Sequence, residues 1–157
     1  MPRSVYLETS IISYLAARPS RDLVTAARQA LTRDWWGRRR RSFEVYVSEA
    51  VIAEARAGDR EASARRAAIL AELPLVHITS EVTQLAQALV VALQLPRRAA
   101  ADAVHIAAAA CHGIDFLLTW NSTHIANAEL RPLVEEACRE GGFTPPILCT
   151  PDELMGG

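Results

Sequence analysis

From Ala101 to Asn127 the chain reads Ala-Asp-Ala-Val-His-Ile-Ala-Ala-Ala-Ala-Cys-His-Gly, then Ile-Asp-Phe-Leu-Leu-Thr-Trp-Asn, then Ser-Thr-His-Ile-Ala-Asn. Ile106 to Cys111 has no charged side chain, so its helix is expected to be buried on most sides. Gly113 can stop that helix in the left-handed conformation. Ile114 to Leu118 is then long enough for one buried strand. A buried helix running into a buried strand predicts a parallel α/β sheet. Asp102 is the exception, an acid near the start of a helix that otherwise avoids water.

Outward from this stretch, strands and helices alternate. Val5-Tyr6-Leu7 predicts a first strand ending at Glu8, with Thr9 or Ser10 capping a helix that carries Ile11, Ile12, Tyr14 and Leu15 and closes before Pro19. Asp22 to about Gly37 reads as an amphipathic helix with Trp35 on its apolar stripe. Phe43 to Val47 alternates as a strand, and Ser48 caps a helix from Glu49 to about Gly58. Further helices are expected over Arg60 to Leu73, from a Ser80 cap to Pro96, and over Ser122 to Glu140 with an interruption at Pro132. Leu75 to Ile78 and Ile147 to Cys149 complete the strands. One domain over 1–150 and a tail over 151–157 are expected, with helices on both faces of the sheet.

Composition narrows the function classes. Charged residues make up 22% of the chain, and no apolar run reaches the ~18 residues of a membrane span. Met1-Pro2-Arg3-Ser4 leads straight into a strand, so no secretory signal is expected. Cys111, Cys138 and Cys149 have neither metal-ligand nor disulfide-framework spacing, which fits the cytoplasm. There is no Gly-rich phosphate loop and no Gly-x-Ser-x-Gly elbow. The net charge of −1 hides an asymmetry: Arg18 to Arg66 holds twelve Arg against seven acids, and the rest from Ala67 holds four against ten. Trp35-Trp36-Gly37 followed by Arg38 to Arg41 could grip RNA. The ordinary reading is one core Trp, one half-exposed Trp and a solvated turn.

The acids suggest chemistry. Ligands of parallel α/β sheets sit beyond the carboxyl ends of the strands. Glu8 follows the first strand, Glu54 shares a helical side with Val51, and Asn121 follows the strand ending at Leu118. If Asp102 joins them, three carboxylates repel one another unless a cation neutralises them. Oxygen ligands without Cys favour Mg²⁺ or Mn²⁺, and a metal-activated water hydrolysing a phosphodiester is the natural reaction. His105, three residues after Asp102, reads as a packed histidine before a ligand; His77, His112 and His124 read as structural.

Val5-Tyr6-Leu7-Glu8-Thr9-Ser10, Val47-Ser48 through Val51-Ile52-Ala53-Glu54, Asp102-Ala103-Val104-His105-Ile106-Ala107 and Phe116-Leu117-Leu118-Thr119-Trp120-Asn121 together resemble the PIN-domain family in order and spacing. The resemblance implies a three-layer α/β/α domain with a central parallel sheet. It also implies a Mg²⁺- or Mn²⁺-dependent ribonuclease, of the kind found as VapC-like toxins held by a VapB-like antitoxin, and commonly dimeric. The family's acids fall on Glu8, Glu54 and Asp102, and a fourth on Asn121. Its hydroxyl residues fall on Thr9 and Thr119. Glu8 stands where the family usually has Asp, one methylene shorter. Asn121 is neutral, equally suited to an N-cap, and weakens any second metal site. These departures leave a non-catalytic RNA- or protein-binding module as the alternative.

Overall fold

The computed structural model describes residues 2–156. Five parallel strands, β1 (Arg3–Leu7), β2 (Phe43–Ser48), β3 (Leu75–Val76), β4 (Phe116–Leu118) and β5 (Ile147–Cys149), form one sheet in the order β3-β2-β1-β4-β5. Seven helices cover it: α1 (Thr9–Ala16), α2 (Leu23–Arg38), α3 (Glu49–Ala55), α4 (Arg60–Leu70), α5 (Ser80–Leu93), α6 (Ala100–Cys111) and α7 (Arg131–Glu140). The result is the three-layer α/β/α arrangement. Val5, Tyr6 and Leu7 of the central strand are fully buried, as a strand covered on both faces must be. Ala103 and Ile106 to Ala109 of α6 are equally inaccessible; their short side chains let this helix lie close to its neighbours. Gly113 adopts φ +68° just after α6, where a side chain would be strained.

The strand order reverses direction between β1 and β4, and this places the site. Leu7 pairs with Leu118, and Glu8 N–H donates to the Leu118 carbonyl at 3.1 Å. Glu8 and Thr119 therefore leave the sheet side by side at the switch point, where a crevice opens in such folds.

Several boundaries differ from expectation for local reasons. Pro132 does not interrupt a helix; it lies in the first turn of α7, where its missing N–H costs nothing. Residues 121–130 form turns instead, because Asn121 Oδ1 accepts from His124 N–H at 3.0 Å and Asn127 Oδ1 from Glu129 N–H at 2.9 Å. Such side chains compete with helical bonding. Thr79, not Ser80, caps α5, and α5 stops at Leu93 because Gln94 is left-handed, before Pro96 acts. The helices expected to reach Gly58 and Leu73 end at Ala55 and Leu70, and β3 does not extend to Ile78. Residues Pro151–Leu154 form a 3₁₀ turn with Pro151 and Leu154 buried. Among the described residues, no helix is long and apolar enough to cross a membrane.

Candidate metal centre

Glu8 is 6% exposed, yet none of the ion pairs among the described residues includes it. A buried carboxylate without a cationic partner is costly. Hydroxyls offset part of that cost: Ser10 Oγ donates to Glu8 Oε1 at 2.5 Å and Thr119 Oγ1 donates to the same oxygen at 2.6 Å. Ser10 is itself held by Trp120 N–H at 2.8 Å, and Thr119 Oγ1 accepts from Asn121 N–H at 2.9 Å.

Glu54, one residue before the end of α3, is held in the same way. Thr9 Oγ1 and His105 Nε2 each lie 2.5 Å from its Oε1. Burial acts to raise the Glu54 pKa, but the hydrogen bonds from His105 and the Thr9 hydroxyl act against it, and the carboxyl is held below the usual range. Ligand atoms of Glu8, Glu54 and His105 all lie within 4.8 Å of one another. The helix α1 begins without a side-chain cap, since Thr9 and Ser10, expected to cap it, spend their hydroxyls on carboxylates, which form the stronger bonds.

Both glutamates thus have Oε1 occupied, and no donor among the described residues bonds either Oε2. Two carboxylates this close repel each other, and a divalent cation offsets that repulsion. Two oxygens without a protein partner, backed by oxygens held in place, suit a hard cation such as Mg²⁺ or Mn²⁺, which needs only one or two direct carboxylates. The residues therefore fit the metal.

Asp102 lies in the first turn of α6, three residues before His105 and on the same helical face. The structure does not place it in the group formed by Glu8, Glu54 and His105. Its Oδ2 accepts from His124 Nδ1 at 2.9 Å, and His124 N–H in turn donates to Asn121. Asn121 thus shapes the turn that presents His124 to Asp102.

The residues that sequence reasoning missed are those behind the acids. Ser10, Tyr6, Ser48 and His124 were not singled out for the site, and His105 was read as packed. Tyr6 had a signal: it stands two residues before Glu8, on the same side of an extended chain. The cysteines stay apart from the site's chemistry; burial pushes Cys138 up to about 11 and Cys149 up to about 12, so both are thiols.

A model of the family described as PIN domain matches residues 5–130. No curated protein matches the chain. Among solved structures, the chain is similar to Mycobacterium tuberculosis VapC20, described as a sarcin-ricin loop cleaving toxin. The identity is 20%, with 77% of this chain and 92% of that chain covered and a TM-score of 0.62. A toxin–antitoxin complex from Klebsiella pneumoniae matches at 18% identity, 80% and 92% coverage and a TM-score of 0.57. VapBC2 from Rickettsia felis, bound to a DNA fragment from its promoter, matches at 13% identity, 93% and 97% coverage and a TM-score of 0.56. At these identities the likeness is one of fold.

Proposed function

The chain belongs to the PIN domain family, and from that premise we propose that it is a Mg²⁺- or Mn²⁺-dependent endoribonuclease acting as the toxin of a toxin–antitoxin pair. The observation that carries this reading is the pair of Oε2 atoms of Glu8 and Glu54, unbonded by the protein and backed by donors on the opposite oxygens. Glu8, Glu54 and Asp102 serve as the metal-side acids. Asp102 Oδ1, like the two Oε2 atoms, accepts from no donor among the described residues. Thr119 and Thr9 orient Glu8 and Glu54, and Asn121 assists from the loop after β4.

A bound divalent ion lowers the pKa of a coordinated water and offsets charge developing on the phosphoryl group. The chain's own part is to orient the acids, to hold the Glu54 carboxyl below its usual range, and to keep Arg side chains from competing with the ion. An antitoxin protein is the expected partner, in line with the toxin–antitoxin complexes among its structural neighbours; self-association as a dimer belongs to the same reading. The test is cleavage of RNA in Mn²⁺ or Mg²⁺ by the wild-type protein, Glu54→Gln and Asp102→Ala. Loss of cleavage in both variants is expected. Equal cleavage by all three proteins overturns the assignment, and binding of RNA without cleavage by the wild type leaves the non-catalytic module.

A further inference from the structure

Behind Glu54 runs a line of side chains that the proposed nuclease chemistry does not use directly. Ser48 Oγ accepts from Ala50 N–H at 3.1 Å and lies 2.7 Å from Tyr6 Oη. Tyr6 Oη lies 2.7 Å from His105 Nδ1, and His105 Nε2 reaches Glu54 Oε1. Ser48, Tyr6 and His105 are all fully buried. Burial pushes the Tyr6 hydroxyl far above its ordinary pKa, so it keeps its proton.

The directions of these bonds follow from counting donors. Among the described residues Tyr6 Oη is the one side-chain or backbone atom that pairs with Ser48 Oγ besides the Ala50 N–H donor, so the Ser48 proton goes to Tyr6 Oη. The Tyr6 proton then goes to His105 Nδ1. The ring proton is left on Nε2, where it is donated to the Glu54 carboxylate. Reversing the line orphans the Ser48 proton in a buried site, which is unfavourable. Placing a bare Nε2 lone pair against the carboxylate sets two acceptors face to face.

We propose that Tyr6 is a metal-specificity residue: by donating to His105 Nδ1 it holds the proton on Nε2 and keeps His105 from ligating the ion that Glu8 and Glu54 hold. The proposal rests on the metal-binding reading above. The exclusion matters because a ring nitrogen of His105 lies within ligand range of both carboxylates. Which imidazole nitrogen is free to bind a metal is set by the bond the other makes. With imidazole barred, the site is an all-oxygen set suited to Mg²⁺ and Mn²⁺; with imidazole admitted, it suits Zn²⁺ and Ni²⁺.

The tautomer is read in the metal-free protein by ¹⁵N NMR of the His105 ring, and nitrogen ligation by pulsed EPR of the Mn²⁺-loaded protein. The wild type is expected to show Nε2–H and no directly bound imidazole nitrogen. Tyr6→Phe is expected to shift the Zn²⁺-over-Mn²⁺ preference by on the order of tenfold toward Zn²⁺, because the substitution has already removed the acceptor of the Ser48 proton and moving the ring proton then orphans no further hydroxyl. His105→Gln in the Tyr6→Phe background is expected to cancel that gain. Nδ1–H in the metal-free wild type overturns the proposal. A nitrogen coupling in Mn²⁺-loaded wild type that disappears in His105→Gln overturns this proposal alone, leaving the nuclease reading intact. A protein that takes up no Mn²⁺ overturns both. The wild-type measurements decide the matter even where Tyr6→Phe does not fold.

Discussion

The two ends of the sheet use charge in opposite ways. At the amino end, Arg3, Arg39, Arg40 and Asp115 each have a partner within the fold. Arg3 lies 4.9 Å from the Phe116 ring centroid, Arg39 5.4 Å from that of Phe43, and Arg40 4.1 Å from that of Trp36. Asp115 accepts from Ser4 N–H at 2.8 Å, and Ser4 Oγ accepts from Asp115 N–H at 3.0 Å. At the carboxyl end, Glu8 is buried without a cationic partner among the described residues, and the outer oxygens of Glu8 and Glu54 have no donor among them. Since β1 and β2 run parallel with Arg3 opposite Phe43, the Arg38–Arg41 run and the acids stand a strand length apart. A charge the fold has satisfied is architecture; a carboxylate held through one oxygen with the other left open is available to something else.

This contrast can be broken or sharpened by substitution. The largest effect is expected from Thr119→Val, which removes a donor from buried Glu8. Mn²⁺ affinity should fall roughly 10- to 100-fold, as when outer-shell partners of metal ligands are lost, with isothermal titration calorimetry as the measure. A smaller consequence is expected from His105→Ala. It leaves the buried Tyr6 hydroxyl without an acceptor and takes one of two donors from Glu54 Oε1, and about 1–3 kcal/mol of stability should be lost in urea unfolding. At the other end, Arg40→Ala should cost only about 0.5–1 kcal/mol, the worth of an exposed cation–π contact, and leave cleavage unchanged. If Arg40→Ala abolished cleavage, the two ends would be one RNA site and the contrast would fail.

The smallest effect concerns Glu49, at the start of α3. The Ile78 N–H, and after it His77, hold its carboxyl below the ordinary range. A depressed native value contributes stability above the unfolded pKa, about 4.3, and that contribution is lost as pH falls through the native value. Between pH 7 and pH 3 the urea midpoint of the wild type should therefore drop more than that of Glu49→Gln.

The sheet was legible because buried parallel strands read as unbroken apolar runs, as in Val5-Tyr6-Leu7 and Phe116-Leu117-Leu118. The three-layer fold followed from their alternation with helices. The Trp35–Trp36 pair also behaved as its ordinary reading has it: Trp35 is buried, stacked on Phe43 at 6.0 Å, and Trp36 is half-buried. Helix ends were less legible. They depend on single side chains, such as Gln94 turning left-handed and Asn121 bonding its own loop, that leave no periodic trace. In the site, Glu8 and Glu54 stood out as acids at positions packing does not ask for. Their supports did not, because Ser10 and Thr9 look like helix caps and His105 looks like a core residue until the strands bring Tyr6 and Glu54 against it.

The central claim is that Glu8 and Glu54 hold a divalent cation through the oxygens the protein leaves free. A crystal soaked in Mn²⁺ and read by anomalous scattering tests it most directly. The expected result is one peak at the Oε2 atoms of Glu8 and Glu54, absent in Glu8→Gln. No peak there at millimolar Mn²⁺, or a peak that survives Glu8→Gln unchanged, contradicts the account.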